Sequence, residues 1–144
     1  MLVQQILKSK ATEGIFTIQP GASVADAASV LSTNRIGSVV ISATGKTADG
    51  ILSERDIVRE LGKRGATCMS DKVDDMMTKN LVTCSCGDKA DDILEKMTNG
   101  RFRHMPVIKD GEMVGLITLG DVVKARLTEL SMEKEALEGM IMGH

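Results

Sequence analysis

Aromatic side chains are almost absent from this chain: it has two phenylalanines, Phe16 and Phe102, and neither tryptophan nor tyrosine. Its core must therefore come from Ile, Val, Leu, Ala and ten methionines. Such an interior can hold a flat base between aliphatic side chains but offers little ring stacking. Cysteine is scarce as well. Cys68, Cys84 and Cys86 make an odd number, and no signal-peptide pattern precedes them, because Gln4, Gln5 and Lys8 interrupt the apolar residues of the start. A disulfide framework is not expected. Cys84-x-Cys86, taken with His104 or His144, fits no common zinc spacing, and strand alternation would put both sulfurs on one face as small apolar residues. No apolar run approaches the length needed to cross a bilayer. A net charge of −2 supplies no basic field for nucleic acid. The expectation is a cytoplasmic protein that engages neither membrane nor nucleic acid.

What the chain does contain is repetition. The stretch Gly50-Ile51-Leu52-Ser53-Glu54-Arg55-Asp56 returns as Gly115-Leu116-Ile117-Thr118-Leu119-Gly120-Asp121. Ser/Thr-x-x-Asp ahead of an apolar helical run (Ile57, Val58, Leu61; Val122, Val123, Leu127) is an N-terminal capping signature. Each copy reads as a strand ending, a turn and a helix beginning. A helix N-terminus favours phosphate, while an acidic residue in its first turn suits ribose hydroxyls. Hydroxyl for phosphate and carboxylate for ribose together describe a nucleotide site.

The repetition extends well beyond the motif. A shift of 66 lays Phe16-Thr17 on Val82-Thr83, Asp26 on Asp92, Arg35 on Arg101 and Ile41 on Val107; a shift of 65 lays Gly50 on Gly115 and Asp56 on Asp121. The one-residue difference falls in a loop. Short helical leads, Val3 to Lys8 and Val73 to Met77, precede short strands over 15–18 and 81–84. Ser23 with Asp26, and Asp88 with Asp91, are expected to start helices whose stripes are Val24, Ala27, Ala28, Leu31 and Ala90, Ile93, Leu94, Met97. Strands over 38–41 and 104–108 turn back at Gly45 and Asp110-Gly111 into the motif strands. Each half is thus β-α-β-β-α, an α/β unit too small to cover its own sheet. Two such repeats are expected to pack sheet to sheet about a pseudo-two-fold axis. The expected division is repeat one over 1–64 with its lead-in helix, a linker over 65–72, repeat two over 73–130, and a helical tail over 131–144.

The ordered, duplicated set resembles the tandem CBS-domain pair, or Bateman module, and is most similar to small stand-alone bacterial members. The residues that carry the likeness are Thr17 and Thr83, the strand His104-Met105-Pro106-Val107-Ile108, the turn Asp110-Gly111 and the two Gly-x-x-Ser/Thr-x-x-Asp motifs. The resemblance implies a regulatory module that binds AMP, ADP, ATP or NAD(H) in the cleft between repeats, dimerises, and acts through a regulated protein not identifiable from the sequence. It implies that Asp56 and Asp121 hold ribose, that Ser53 and Thr118 touch phosphate or ribose, and that Thr17, Ile18, Thr83 and Cys84 face the base. Gly37, Ser38 and Arg55 in repeat one, and Arg103, His104, Met105 and Pro106 in repeat two, complete the expected nucleotide set. The pattern departs from the family at Val40, where a strand proline is usual, and at Cys86, which stands where repeat one has Pro20.

The repeats differ most in basic residues. Arg55 precedes Asp56 where Gly120 precedes Asp121, and Arg103-His104 stand where repeat one has Gly37-Ser38. The two sites are therefore expected to differ in their preference for phosphate. No nucleophile-base order, substrate-facing carboxylate pair, metal cluster or lysine-bearing phosphate loop points to catalysis or to a catalytic cofactor. The rival to nucleotide sensing is a structural module that dimerises or docks without a nucleotide. Leu127, Leu130, Lys134, Leu137 and Ile141 form an amphipathic stripe in the tail, read as packing on its own domain or as a dimer contact.

Overall fold

The computed structural model describes residues 1–10 and 15–141. His144 and the last residues of the expected tail lie outside them. The elements in order are α1 (Val3–Ser9), β1 (Thr17–Ile18), α2 (Val24–Asn34), β2 (Ser38–Ile41), β3 (Gly50–Ser53), α3 (Glu54–Arg64), a 3-10 segment (Gly65–Ser70), α4 (Val73–Met76), α5 (Ala90–Gly100), β4 (His104–Lys109), β5 (Glu112–Thr118) and α6 (Leu119–Ile141). The fold is mixed α/β, as the repeat pattern predicts. The described chain divides into two compact units, residues 15–82 with 109–114, and residues 1–10 with 83–108 and 115–141. They are called here the first-repeat and second-repeat units.

In the first-repeat unit β1 runs parallel to β2, Thr17 opposite Val40, and β2 runs antiparallel to β3, Ser38 opposite Ser53. β2 is buried throughout, which suits its unbroken Ser-Val-Val-Ile run. Ser23 caps α2 by accepting the Asp26 N–H at 3.0 Å. The α2 stripe delivers Val24, Ala27 and Leu31 to a core with Val39, Ile41, Leu52, Ile57 and Val73. The stretch expected to link the repeats is folded onto this unit. Cys68 is fully buried, Met69 packs on the core, and Arg64 pairs with Asp71.

The second-repeat unit repeats this plan with two departures. Its first strand contracts to a single parallel bridge, Cys84 to Val107. Its helix begins one residue later than expected. Lys89, not Asp88, is the N-cap of α5 and has no side-chain cap bond, while Asp88 accepts the Ser85 N–H at 2.9 Å in the preceding turn. The core is Val3, Ile6, Cys84, Ala90, Ile93, Met97, Met105, Val107, Ile117, Val122 and Ala125. Arg35 and Arg101, at equivalent places, both end their helices in the left-handed region, with φ of 52° and 56°. The hairpin between β4 and β5 turns on Asp110 and Gly111, both at positive φ, as a two-residue primed turn requires.

The lead-in helices are exchanged relative to the sequence order. α1 precedes repeat one yet packs in the second-repeat unit, where Val3 and Ile6 are core residues. α4 precedes repeat two yet contributes Val73 to the first-repeat core. The same exchange explains the glycine that opens each motif. A Cβ on Gly50 would lie 2.3 Å from Met77 Sδ, and one on Gly115 would lie 2.6 Å from Leu7 Cδ2. Each motif glycine is the place where a lead-in segment lies against the strand.

Candidate functional site

Both motifs form the same hydrogen-bonded cap. In the first-repeat unit Ser53 is the N-cap of α3. Its N–H donates to Asp56 Oδ2 at 3.0 Å, and the Asp56 N–H donates back to Ser53 Oγ at 3.2 Å. In the second-repeat unit the Thr118 N–H donates to Asp121 Oδ2 at 2.9 Å, and the Asp121 N–H donates to Thr118 Oγ1 at 3.2 Å. The residue after each cap is also fixed alike. The Glu54 N–H donates to the Gly37 carbonyl and the Leu119 N–H to the Arg103 carbonyl, at 2.9 and 2.8 Å. Each helix N-terminus is thereby stitched to the residue just before the middle strand.

These bonds bring Gly37, Ser38, Ser53, Arg55 and Asp56 to one end of the first-repeat sheet. Ser38 lies opposite Ser53, and Arg55 is exposed beside the cap. Thr17, exposed, and Ile18, half-buried, lie further along β2, opposite Val40 and Ile41. In the second-repeat unit Arg103, exposed, and His104, half-buried and engaged with its surroundings, open β4 beside Thr118 and Asp121. Met105 and Pro106 are buried behind them. Pro106 has no N–H to offer a ladder, but its carbonyl accepts the Cys84 N–H at 3.0 Å. Thr83 is exposed; Cys84 is a core residue whose thiol burial pushes up to about 11. Cys86 packs against the same core, so Cys84 and Cys86 serve as small apolar residues.

The two carboxylates differ in what else holds them. Asp56 Oδ1 accepts Arg59 Nη2 at 2.9 Å from one turn further along α3. Asp121 instead receives Lys10, whose ammonium lies 2.9 Å from Oδ2 and donates to the Leu116 carbonyl at 2.8 Å. Burial pushes the Asp121 carboxyl up, but the Thr118 N–H and the Lys10 ammonium together outweigh it and hold the group below its ordinary range. Among the described residues, the hydrogen bonds and the ion pair to Asp121 all fall on Oδ2. Sequence reasoning missed both Lys10 and Arg59. Arg59 is legible in hindsight as an i, i+3 partner on a helix. Lys10 is not, because nothing in a repeat-by-repeat alignment assigns α1 to the second motif.

The first-repeat unit also carries an open depression of about 490 Å³ between α2 and α3, lined by Leu31, Arg35, Gly37, Glu54, Ile57 and Val58 among others. Its lining takes Gly37 and Glu54 from the capped strand end but neither Ser53 nor Asp56, so it opens on the helix face beside the cap. No described helix is long and apolar enough to cross a membrane.

Comparison with known proteins fits this duplicated geometry. The CBS domain family model matches residues 3–63 and 73–128. A mitochondrial CBS domain-containing protein of Arabidopsis thaliana is 35% identical over 125 residues, 84% of this chain, which spans 61% of that relative's length. The crystal structure of a CBS-domain containing protein from Agrobacterium tumefaciens superposes with a TM-score of 0.82 at 39% identity, over 88% of this chain and 99% of that one. A CBS domain protein from Pyrobaculum aerophilum, solved with AMP, has a TM-score of 0.76 at 24% identity, over 92% and 99% of the two chains. With two family matches laid over two copies of one capped strand-to-helix unit, the chain belongs to the CBS-domain family and carries the CBS pair.

Proposed function

We propose that this chain is a regulatory module that binds adenine nucleotides, AMP, ADP, ATP or NAD(H), at its two capped strand ends, and that it acts as a homodimer through a regulated protein rather than by catalysis. The observation that carries the reading is the paired cap: a carboxylate held at a helix N-terminus by its own backbone, beside a hydroxyl, twice. Fixing Oδ2 on the backbone orients the carboxylate before any ligand arrives, which lowers the ordering cost of binding. A ribose then meets a preset acceptor, and phosphate meets the N-terminal end of α3 or α6. Thr17, Ile18 and Thr83 lie on or beside the first-strand position of each unit, in keeping with the base-facing role the resemblance implies, whereas Cys84 is a core residue with its N–H and carbonyl both paired to β4. The structural neighbours support adenine as the common element, since one was solved with AMP and another with 5'-methylthioadenosine and S-adenosylmethionine.

The two sites are not equivalent in this reading. Asp56 must share Oδ1 with Arg59, whereas among the described residues Asp121 Oδ1 has no hydrogen-bond partner and Lys10 lies beside the group. Arg55 has no counterpart side chain at Gly120, and Arg103 and His104 have none at Gly37 and Ser38 beyond a hydroxyl. A thermal-shift series with AMP, ATP, NADH and S-adenosylmethionine tests the reading. A ligand at about 100 times its Kd stabilises the folded state by about 2.7 kcal/mol, a rise of several degrees in Tm for a domain of this size. No rise with any of the four overturns nucleotide binding and leaves the docking module.

A further inference from the structure

Helix α6 outruns the unit that anchors it. Val122 and Ala125 enter the core, and Glu129 pairs with the amino terminus and with Arg126. From Leu130 on, the apolar side chains stand in solvent: Leu130 is 49% exposed, Leu137 58% and Ile141 84%. The stripe expected in the tail does not pack on its own domain: Leu127, Leu130, Leu137 and Ile141 are all exposed, and the α6 residues in the core, Val122 and Ala125, lie outside it. An isolated helical segment of about a dozen residues is marginal in water, so this overhang needs a second surface.

The exposed residues are ordered. Val123, Leu127, Leu130, Lys134, Leu137 and Ile141 alternate four- and three-residue spacings, the seam of a two-helix contact, with a single charged residue near its middle. One polar seam position of this kind fixes register at some cost in stability. The flanks are divided by sign. Lys124 and Arg126 border the seam toward its start, and Glu133 and Glu138 toward its end. In a parallel pair Glu133 would face Glu138 of the partner subunit, twice. In an antiparallel pair Lys124 faces Glu138 of the partner subunit, twice, while Val123 meets Ile141 of the partner subunit and Leu127 meets Leu137 of the partner subunit. The like-charge contact that remains, Glu133 with its own symmetry mate, lies beside both Lys134 side chains.

We infer that α6 is the docking surface for a second copy of this chain, joined antiparallel along this seam. The inference rests on the homodimer proposed above and gives it a location and a direction. Sedimentation equilibrium on the full chain tests it. Leu130→Glu with Leu137→Glu should dissociate the dimer and lower the far-UV helical signal only by fraying of the α6 overhang, because both residues are exposed and outside the core of the unit. Lys124→Glu and Glu138→Lys should each weaken the dimer about 4–30-fold through two symmetric contacts, and the two together should restore it. A dimer untouched by the leucine substitutions overturns the seam but leaves the homodimer. A parallel seam would instead be strengthened by Glu138→Lys alone, which overturns the direction. A wild type that is monomeric at micromolar concentration overturns both the seam and the homodimer.

Discussion

Asp121→Ala separates the structural role of the second motif's carboxylate from the ribose-binding role proposed for it. The substitution removes the acceptor for the Thr118 N–H at 2.9 Å and the partner of the Lys10 ammonium at 2.9 Å. Loss of an N-terminal cap of this kind costs about 0.5–2 kcal/mol. The ion pair is partly exposed, 22% at the carboxylate and 23% at the lysine, and adds at most about 1 kcal/mol. Lys10 keeps its bond to the Leu116 carbonyl, so no buried charge is stranded. The sum is roughly 0.5–3 kcal/mol, or about 1–12 °C in Tm for a chain of this length, and the protein stays folded. A charge-assisted bond from Asp121 to ribose is worth about 1.5–3 kcal/mol, so affinity at that site should fall about 10–150-fold. Lys10→Met is the control, because it removes the ion pair and leaves the cap. Differential scanning calorimetry reads the first effect and titration calorimetry with AMP and NADH the second. A lowered Tm with nucleotide affinity unchanged within twofold refutes the ribose role and leaves Asp121 as a helix cap alone.

Asp56→Ala should lose affinity at the first site in the same way, and Arg59→Ala, which frees Oδ1, should raise it severalfold in the same titration. Arg55→Ala should lower the preference for ATP or NADH over AMP by about 1.5–3 kcal/mol where the guanidinium bonds phosphate; equal effects on all three ligands across a salt series would remove that role. Gly50→Ala and Gly115→Ala place a methyl against Met77 and Leu7 and should each cost about 1–3 kcal/mol, with Gly50 the milder because methionine yields more easily; denaturant midpoints check the order. In acid, four carboxylates act together: Arg64 holds Asp71 low, the Gly21 N–H holds Asp74 low, the amino terminus holds Glu129 low, and Asp121 is held low as described. A carboxyl depressed in the native state stabilises the fold above its unfolded value, near 3.8 for Asp and 4.5 for Glu. That contribution is lost as pH falls through the native value, so Tm measured against pH should drop below about pH 4 and not between 7 and 5.

Much of the molecule can be read from its residues because the signals are local. Ser23, Ser53 and Thr118 cap the helices they precede, Asp110-Gly111 makes the turn its residues demand, and the stripes of α2 and α5 bury as their spacing requires. Each of these is decided within four residues of chain. What escaped is decided by distant packing. Asp88 looks like a cap but accepts the Ser85 N–H, while the chain start holds the helix start at Lys89, through the Leu2–Lys89 bridge and the Ala90 N–H donated to the Met1 carbonyl. The 81–84 strand shrinks to one bridge, Cys84 to Val107, although its counterpart β1 also has only one neighbour. α1 and α4 are too short for their apolar residues to name a partner, so the exchange that puts Leu7 on Gly115 and Met77 on Gly50 is invisible in the pattern. Lys10 follows from that exchange and was hidden with it. The candidate site was legible as a set of residues; the unequal holding of Asp56 and Asp121 was not.

The central claim is that one chain carries two nucleotide sites made unequal by the groups around a shared cap. Titration calorimetry of the wild-type protein with AMP, ATP and NADH tests it most directly. The account predicts two sites per chain with distinct affinities for at least one of these ligands, the weaker further weakened by one aspartate substitution and the tighter by the other. Two identical sites would contradict the inequality, and no heat of binding with any of the three would contradict the sites themselves.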